Sequence, residues 1–414
     1  PILGVQYWGY RSETGTLILQ LCSAAAPCDR GRCGFRLRTR CDGGSGCGTP
    51  SGSGASPVVD PSLDASRPEL WAEETPGVWR FTDPISGEVC SIVFDDGQSF
   101  GNLRWSRQEL RHPGEWYYDR LGKSIRCGQG GGQSWLTCAG NPAQVYRSVE
   151  LVLWGNRQAE TAQQYVLIWE LAFEKCGVHG FSAIHATHIT IRNCRFRCIG
   201  GAVFDREKHI RFGNGVEFWN GVSYCTVEHC LFEDIYDSGV THPGNQESLL
   251  AEWLIFCYNV FRRCGLVAYE WRGPVSGNVE FSHDRCEEAG GVFTMQGEPA
   301  LRSTEKPEDI SACVFVLIRL KERELPDDAT YGTIRDNELV GAADCEAVRL
   351  STLDEESLRH IRLDHNRYIL PAGRTLTRVD GYYAYSCQRH PIRYVHYVDR
   401  DAILNDLFRK LADG

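Results

Sequence analysis

The chain has 414 residues, with 44 Lys plus Arg against 54 Asp plus Glu and a formal net charge of -10. A field of that sign repels a nucleic-acid backbone and an anionic membrane surface, so neither is an expected partner. No run of about 18 apolar residues offers a membrane span, and a neutral glycan fits the charge better than a polyuronate, which would need a local arginine cluster.

Residues 1–111 are expected to form a β-rich cap or small domain. The chain begins at Pro1 without an initiator Met or a charged-then-apolar leader, which suits a trimmed, secreted protein. Cys22, Cys28, Cys33, Cys41 and Cys47 crowd a stretch rich in Gly and Ser; with no CxxC pair among them, disulfides are the better reading than a metal. GGSGCGTPSGSGASP at 43–57 reads as a flexible loop.

Residues 112–398 carry the strongest signal, a repeated phrase: an apolar residue, two variable residues, often Asn or Cys, then an aromatic and a small-residue turn. Clear copies run from Ile168 to Phe173, Ile191 to Phe196, Val227 to Phe232 and Phe256 to Phe261. Weaker ones run from Phe281 to Cys286, Ile334 to Leu339 and Leu363 to Tyr368. The starts are 23, 36, 29, 25, 53 and 29 residues apart, which mostly matches one coil of a solenoid. The 53-residue step is expected to hide an insertion at about 301–328. Apolar residues two apart, such as Ile189 and Ile191, mark strands, and glycines mark the bends.

The fourth slot of the phrase holds Cys194, Cys230, Asn259, Asp284, Asn337 and Asn366, which would stack coil on coil into a ladder satisfying turn backbone groups. Phe173, Phe196, Phe232 and Phe261 should form one column. Cys176, Cys194, Cys230 and Cys264 should point inward as unpaired small hydrophobes, and so many free thiols outside a cell favour an anaerobic habitat. A propeller needs blades of about 40 to 45 residues, longer than most of these steps. The expected fold is therefore all-β, a right-handed parallel β-helix with an N-terminal β-rich cap and a short C-terminal helix at 399–414. In that helix Ile403, Leu404, Leu407, Phe408 and Leu411 follow Asp401 at helical spacing.

HPGEWYYDR at 112–120, the repeats, FGNGVEFW at 212–219, IYDSGVTH at 235–242 and AYEWRG at 268–273 together resemble the pectin-lyase-like superfamily of secreted β-helix proteins. The likeness covers about residues 105–370 and is nearest to glycoside hydrolases and carbohydrate-binding modules of plant-cell-wall degraders. It implies carboxylates on one exposed sheet for a hydrolase, or a basic residue and often calcium for a lyase. The cysteine-rich N-terminus departs from that pattern.

Glycoside hydrolysis needs two carboxyl groups flanking one bond, and neighbouring coils about 4.8 Å apart can supply them. Asp237, between Tyr236 and Ser238, and Glu270, between Tyr269 and Trp271 one coil later, are the candidate catalytic pair, with the aromatic neighbours expected to raise one carboxyl's pKa. Asp205, Glu217 and His242 are candidates for supporting the same groove. Trp219, Tyr269 and Trp271 suit stacking on sugar rings, with core packing as the competing role, and Arg272 suits sugar hydroxyls or an acid group. No metal ligands are assigned, and calcium is the one cofactor left open. The expected function is hydrolysis of a plant cell-wall polysaccharide such as xylan by a secreted monomer. The alternatives are a non-catalytic carbohydrate-binding module and, third, a polysaccharide lyase.

Overall fold

A computed structural model describes residues 58–86, 88–120, 133–154, 164–207, 210–243, 251–274, 277–287, 331–340, 359–369 and 409. It adds the backbone of strands at 8–11, 17–20, 36–38, 313–321, 346–351, 378–385 and 388–395. The loop expected at 43–57, the five N-terminal cysteines and, apart from Arg409, the expected helix at 399–414 lie outside the described residues.

The protein is mostly β, organised by three long, largely parallel sheets into which the chain feeds one strand at a time. The coil that begins at Thr187–Arg192 in the first sheet continues through Arg195–Ile199 in the second and Val216–Phe218 in the third, then returns to the first at Ser223–Glu228. The repeat register holds residue by residue. Ile168 pairs with Ile191, Ile191 with Val227, Val227 with Phe256, Phe256 with Phe281, Phe281 with Ile334 and Ile334 with Leu363.

Inside the coils Phe173, Phe196, Phe232 and Phe261 stack face to face at centroid distances of 5.0, 4.8 and 4.9 Å, close to the strand spacing of a sheet. The turn into the third sheet leaves these rings no room for a side chain. A Cβ at Gly180, Gly215 or Gly239 would lie 2.5, 2.6 or 2.3 Å from the ring of Phe196, Phe232 or Phe261 respectively. One coil on, Cys286 takes the place of the phenylalanine, and Ala268 takes the place of the glycine. The sequence pattern of one sheet is therefore set by the side chains of its neighbour.

The fourth-slot ladder is formed as well. Cys194 N–H donates to Cys230 Sγ at 3.4 Å, Cys230 N–H to Asn259 Oδ1 at 2.9 Å and Asn259 N–H to Asp284 Oδ1 at 2.6 Å. Asp284 N–H then donates to Asn337 Oδ1 at 2.8 Å, and Asn337 N–H to Asn366 Oδ1 at 3.1 Å. Each of the five links satisfies an N–H that follows a left-handed residue: Asn193, His229, Tyr258, His283 and Asp336 have φ between 52° and 57°. That conformation costs roughly 1–2 kcal/mol per residue, which the ladder offsets.

Asp284 is the odd member of the ladder. The asparagines also donate Nδ2 to a carbonyl of the preceding coil, as Asn259 does to Val227, whereas Asp284 Oδ2 has no partner. Burial holds its carboxyl well above the usual carboxylate range. The folded state therefore keeps a proton that the unfolded chain releases above about pH 4, and stability falls as pH rises through that range. Asp284→Asn should accordingly be more stable than the natural sequence at pH 7, by about 1–3 kcal/mol, with the gain shrinking towards pH 4. Urea unfolding at the two pH values checks this, and a variant no more stable at pH 7 would contradict it.

All ten described cysteines are buried and unpaired, among them Cys176, Cys194, Cys230 and Cys264. Burial pushes the Cys198 and Cys225 thiols up to about 12, far from the thiolate needed for reaction. Native iodoacetamide treatment should leave these ten unlabelled while denaturant exposes them. Mass spectrometry finding any of the ten modified before unfolding would refute that placement.

Two boundaries differ from expectation. Residues 112–153, expected among the coils, belong to antiparallel sheets: Glu115–Arg120 pairs with Gln133–Ala139, and Val149–Leu153 with Val89–Phe94. Trp116 and Tyr118 fill that unit's own core with Trp71, Phe81 and Leu136, so HPGEWYYDR serves this unit. Conversely, Leu17–Gln20 and Val58–Asp60, expected in the cap, are parallel members of the first and second sheets. The antiparallel unit is thus inserted between two turns of the coil. Lys175 joins the parts, 2.6 Å from Glu150 and 3.1 Å from Asp60. The segment 301–328 likewise contains a coil's own third strand, Cys313–Lys321, because its continuous apolar run pairs with Val267–Pro274. An antiparallel hairpin, Arg378–Tyr385 with Gln388–Val395, ends the third sheet and covers its edge.

Candidate functional site

The third sheet brings the candidate acids together. Val216, Val240 and Tyr269 are cross-strand partners that point into the core. Strand alternation therefore turns Glu217, Thr241 and Glu270 to the outer face. Ser182 starts the same row, between the core-facing Phe181 and Ala183 and opposite Glu217. The row is polar yet buried: Ser182 is 5 % exposed, Glu217 5 %, Thr241 0 % and Glu270 3 %.

Asp237 lies at the start of the next-to-last strand of that row, its N–H donating to Gly213 O. Ser238 Oγ sits 3.2 Å from Asp237 Oδ1 and 3.2 Å from Glu270 Oε2, so these two oxygens are no farther apart than twice that distance. Thr241 Oγ1 donates to the same Glu270 oxygen at 3.3 Å. One hydroxyl carries one proton, so Ser238 can donate to one carboxyl at a time, which makes the two acids inequivalent.

Glu217 is held separately. Asn214 Nδ2 donates to its Oε2 at 2.6 Å and His179 Nε2 lies 3.3 Å from its Oε1. The Asn214 N–H donates to His179 Nδ1 at 3.1 Å, so the imidazole proton sits on Nε2 and points at Glu217. Burial lowers the His179 pKa, Glu217 opposes the shift, and the positive charge of Arg272 adds to it. Asn214 Oδ1 accepts from Ser238 N–H at 3.0 Å, which links the Glu217 cluster to the Asp237–Glu270 pair. Phe212 packs edge-on against His179 at 5.5 Å and against Trp154 at 5.9 Å, giving the polar row an aromatic flank. Asp205 lies on the hairpin that carries Phe212, Ala202–Asp205 with Ile210–Phe212, rather than at the end of a third-sheet strand.

Trp219 and Arg272 lie two residues along the outer face from Glu217 and Glu270. Trp219 is half-buried, with the Arg272 guanidinium 5.9 Å above its ring. The other aromatic candidates are placed elsewhere. Tyr269 and Trp271 belong to the core of the coils, because flanking residues on a strand face the opposite side from Glu270. His242 is beside them, its Nε2 2.6 Å from Tyr269 Oη, and burial alone pushes its pKa down to about 3, leaving it neutral. Tyr236 is fully buried between the coils and the antiparallel unit, under the Arg211 guanidinium at 4.6 Å. The hydroxyls of Ser238 and Thr241 thus contact the acid pair, while the aromatic neighbours Tyr236, Tyr269 and Trp271 pack inside. Ser182, Ser238, Thr241, Asn214 and His179 were not singled out from the sequence; Ser238 adjoins Asp237 and Asn214 falls within FGNGVEFW, while a lone His179 carried no signal. Among the described residues no group of three or more His, Cys, Asp or Glu is arranged to hold a metal ion.

No family model matches the chain, and no curated protein matches it. Among solved structures it is similar to one described as the catalytic domain of a GH87 alpha-1,3-glucanase in complex with nigerose, at 10 % sequence identity and a TM-score of 0.27. The match covers 51 % of this chain and 41 % of that one, so the chain spans less than half of that structure's length.

Proposed function

We propose that this chain is a right-handed parallel β-helix protein that acts on a neutral polysaccharide as a glycoside hydrolase, with Asp237 and Glu270 as its carboxylate pair. The right hand follows from the strong preference of parallel-strand crossovers. The observation that carries the activity is the pair itself: two carboxylates on adjacent coils within reach of one Ser238 hydroxyl, close enough to flank one glycosidic bond. One acts as acid towards the leaving oxygen, and the other as nucleophile or base. Arg272, two residues along the strand from Glu270, supplies a substrate contact beside them. The net charge of -10 favours an uncharged glycan, and the plant cell-wall class, such as xylan met outside the cell, is the substrate assigned.

Release of reducing ends and affinity, measured side by side on xylan, arabinan, pectin and glucan, test the assignment. Release from a neutral member of the panel is expected, and neither binding nor release on any of the four would overturn it. One observation favours a second reading, a non-catalytic glycan-binding module: Glu270 is only 3 % exposed and held by two hydroxyls. Under that reading binding persists and no sugar is released.

A further inference from the structure

Two buried polar groups on the same face have no hydrogen-bond partner among the described residues. Ser182 Oγ and Trp219 Nε1 are both shielded from solvent and unsatisfied, although Ser182 heads the row that runs through Glu217 and Thr241 to Glu270. A buried hydroxyl or indole N–H without a hydrogen bond is destabilising, so a group that satisfies both returns that energy as affinity. The Trp219 backbone is fixed by its N–H to Ala183 O at 2.8 Å, one residue beyond Ser182, which keeps the indole and the hydroxyl on one part of the face.

Resting on the glycan-active reading above, we propose that Ser182 and Trp219 form a hydroxyl-binding subsite remote from the acid pair. Sugar hydroxyls are the complementary chemistry. Each can accept the indole N–H and exchange a hydrogen bond with Ser182, while the half-buried Trp219 ring presents apolar surface to ring C–H groups. Three strand steps separate Ser182 from Glu270 along the row, about 14 Å at the usual sheet spacing. A bound glycan therefore runs along the stacking axis, across successive coils, and only chains longer than a disaccharide reach from the acids to the subsite.

The test is calorimetric binding of disaccharides and pentasaccharides of xylan and glucan to the full chain carrying Asp237→Asn and Glu270→Gln, so that ligand is not consumed. Ser182→Ala and Trp219→Phe are added singly to that background. Each should weaken pentasaccharide binding about 5- to 10-fold, the loss of roughly one net hydrogen bond, and leave disaccharide binding unchanged with no loss of thermal stability, because each removes a group that is buried and unsatisfied in the free protein. Pentasaccharide binding unaffected by both substitutions, or losses equal for the two lengths, would overturn the subsite alone. No binding of any oligosaccharide even by the unsubstituted chain would overturn the glycan reading and the subsite with it.

Discussion

Changing Asp237 to Asn or Glu270 to Gln should each lower turnover about 10²- to 10⁴-fold, the range over which one positioned acid or base contributes. Binding and stability should change little. An amide still accepts the Ser238 hydroxyl bond that each carboxylate now shares, and the neighbouring Thr241 bond to Glu270 has the same alternative. The two single losses should not add in the double variant, because the groups work on one bond. Initial rates on the glycan that the unsubstituted chain cleaves best provide the comparison. Either variant retaining more than about half the rate would remove that residue from the pair, since no acid or base of that weight is lost so cheaply.

Phe232→Ala should be among the most damaging substitutions to the fold, costing about 3–5 kcal/mol. Its ring is stacked on both faces, by Phe196 at 4.8 Å and Phe261 at 4.9 Å, and fully enclosed. The glycine at 215 approaches so closely that the turn cannot relax inward without losing its shape. Phe173→Ala should cost less, since that ring is only partly buried and, among the described residues, has a stacked neighbour on one side alone. Urea denaturation of both variants gives the order. Equal losses, or the larger loss at Phe173, would contradict the stack as the core's main support.

Much of the fold was legible because parallel sheets that take one strand from each repeat reuse one local solution. Each apolar start, each ladder residue and each phenylalanine met its counterpart one coil on, since strand pairing in register forces equivalent positions together. The antiparallel unit was not legible as such: its strands alternate as any strands do, and pairing direction leaves no mark on a single strand's composition. For the site, adjacency of coils follows from the repeat, and Asp237 and Glu270 share the Ser238 hydroxyl, but both are buried where an open groove was expected. Of the two roles the sequence left open for Tyr269 and Trp271, the structure shows core packing. Period-two alternation puts Glu270's immediate neighbours on the opposite face, so the outward acid requires inward aromatics. His242 followed them inside, where Tyr269 Oη satisfies it. Ser238 and Thr241 stayed unnoticed, as a hydroxyl's role depends on what folding brings within about 3 Å of it.

The most direct test sets the natural chain against the double Asp237→Asn, Glu270→Gln variant on one neutral glycan, reading bound ligand and released reducing ends from the same samples. The account predicts equal binding by both proteins, with reducing ends released by the natural chain only. Binding by both with release by neither would show a carbohydrate-binding protein in which these carboxylates do no chemistry, and release by both would place the chemistry elsewhere.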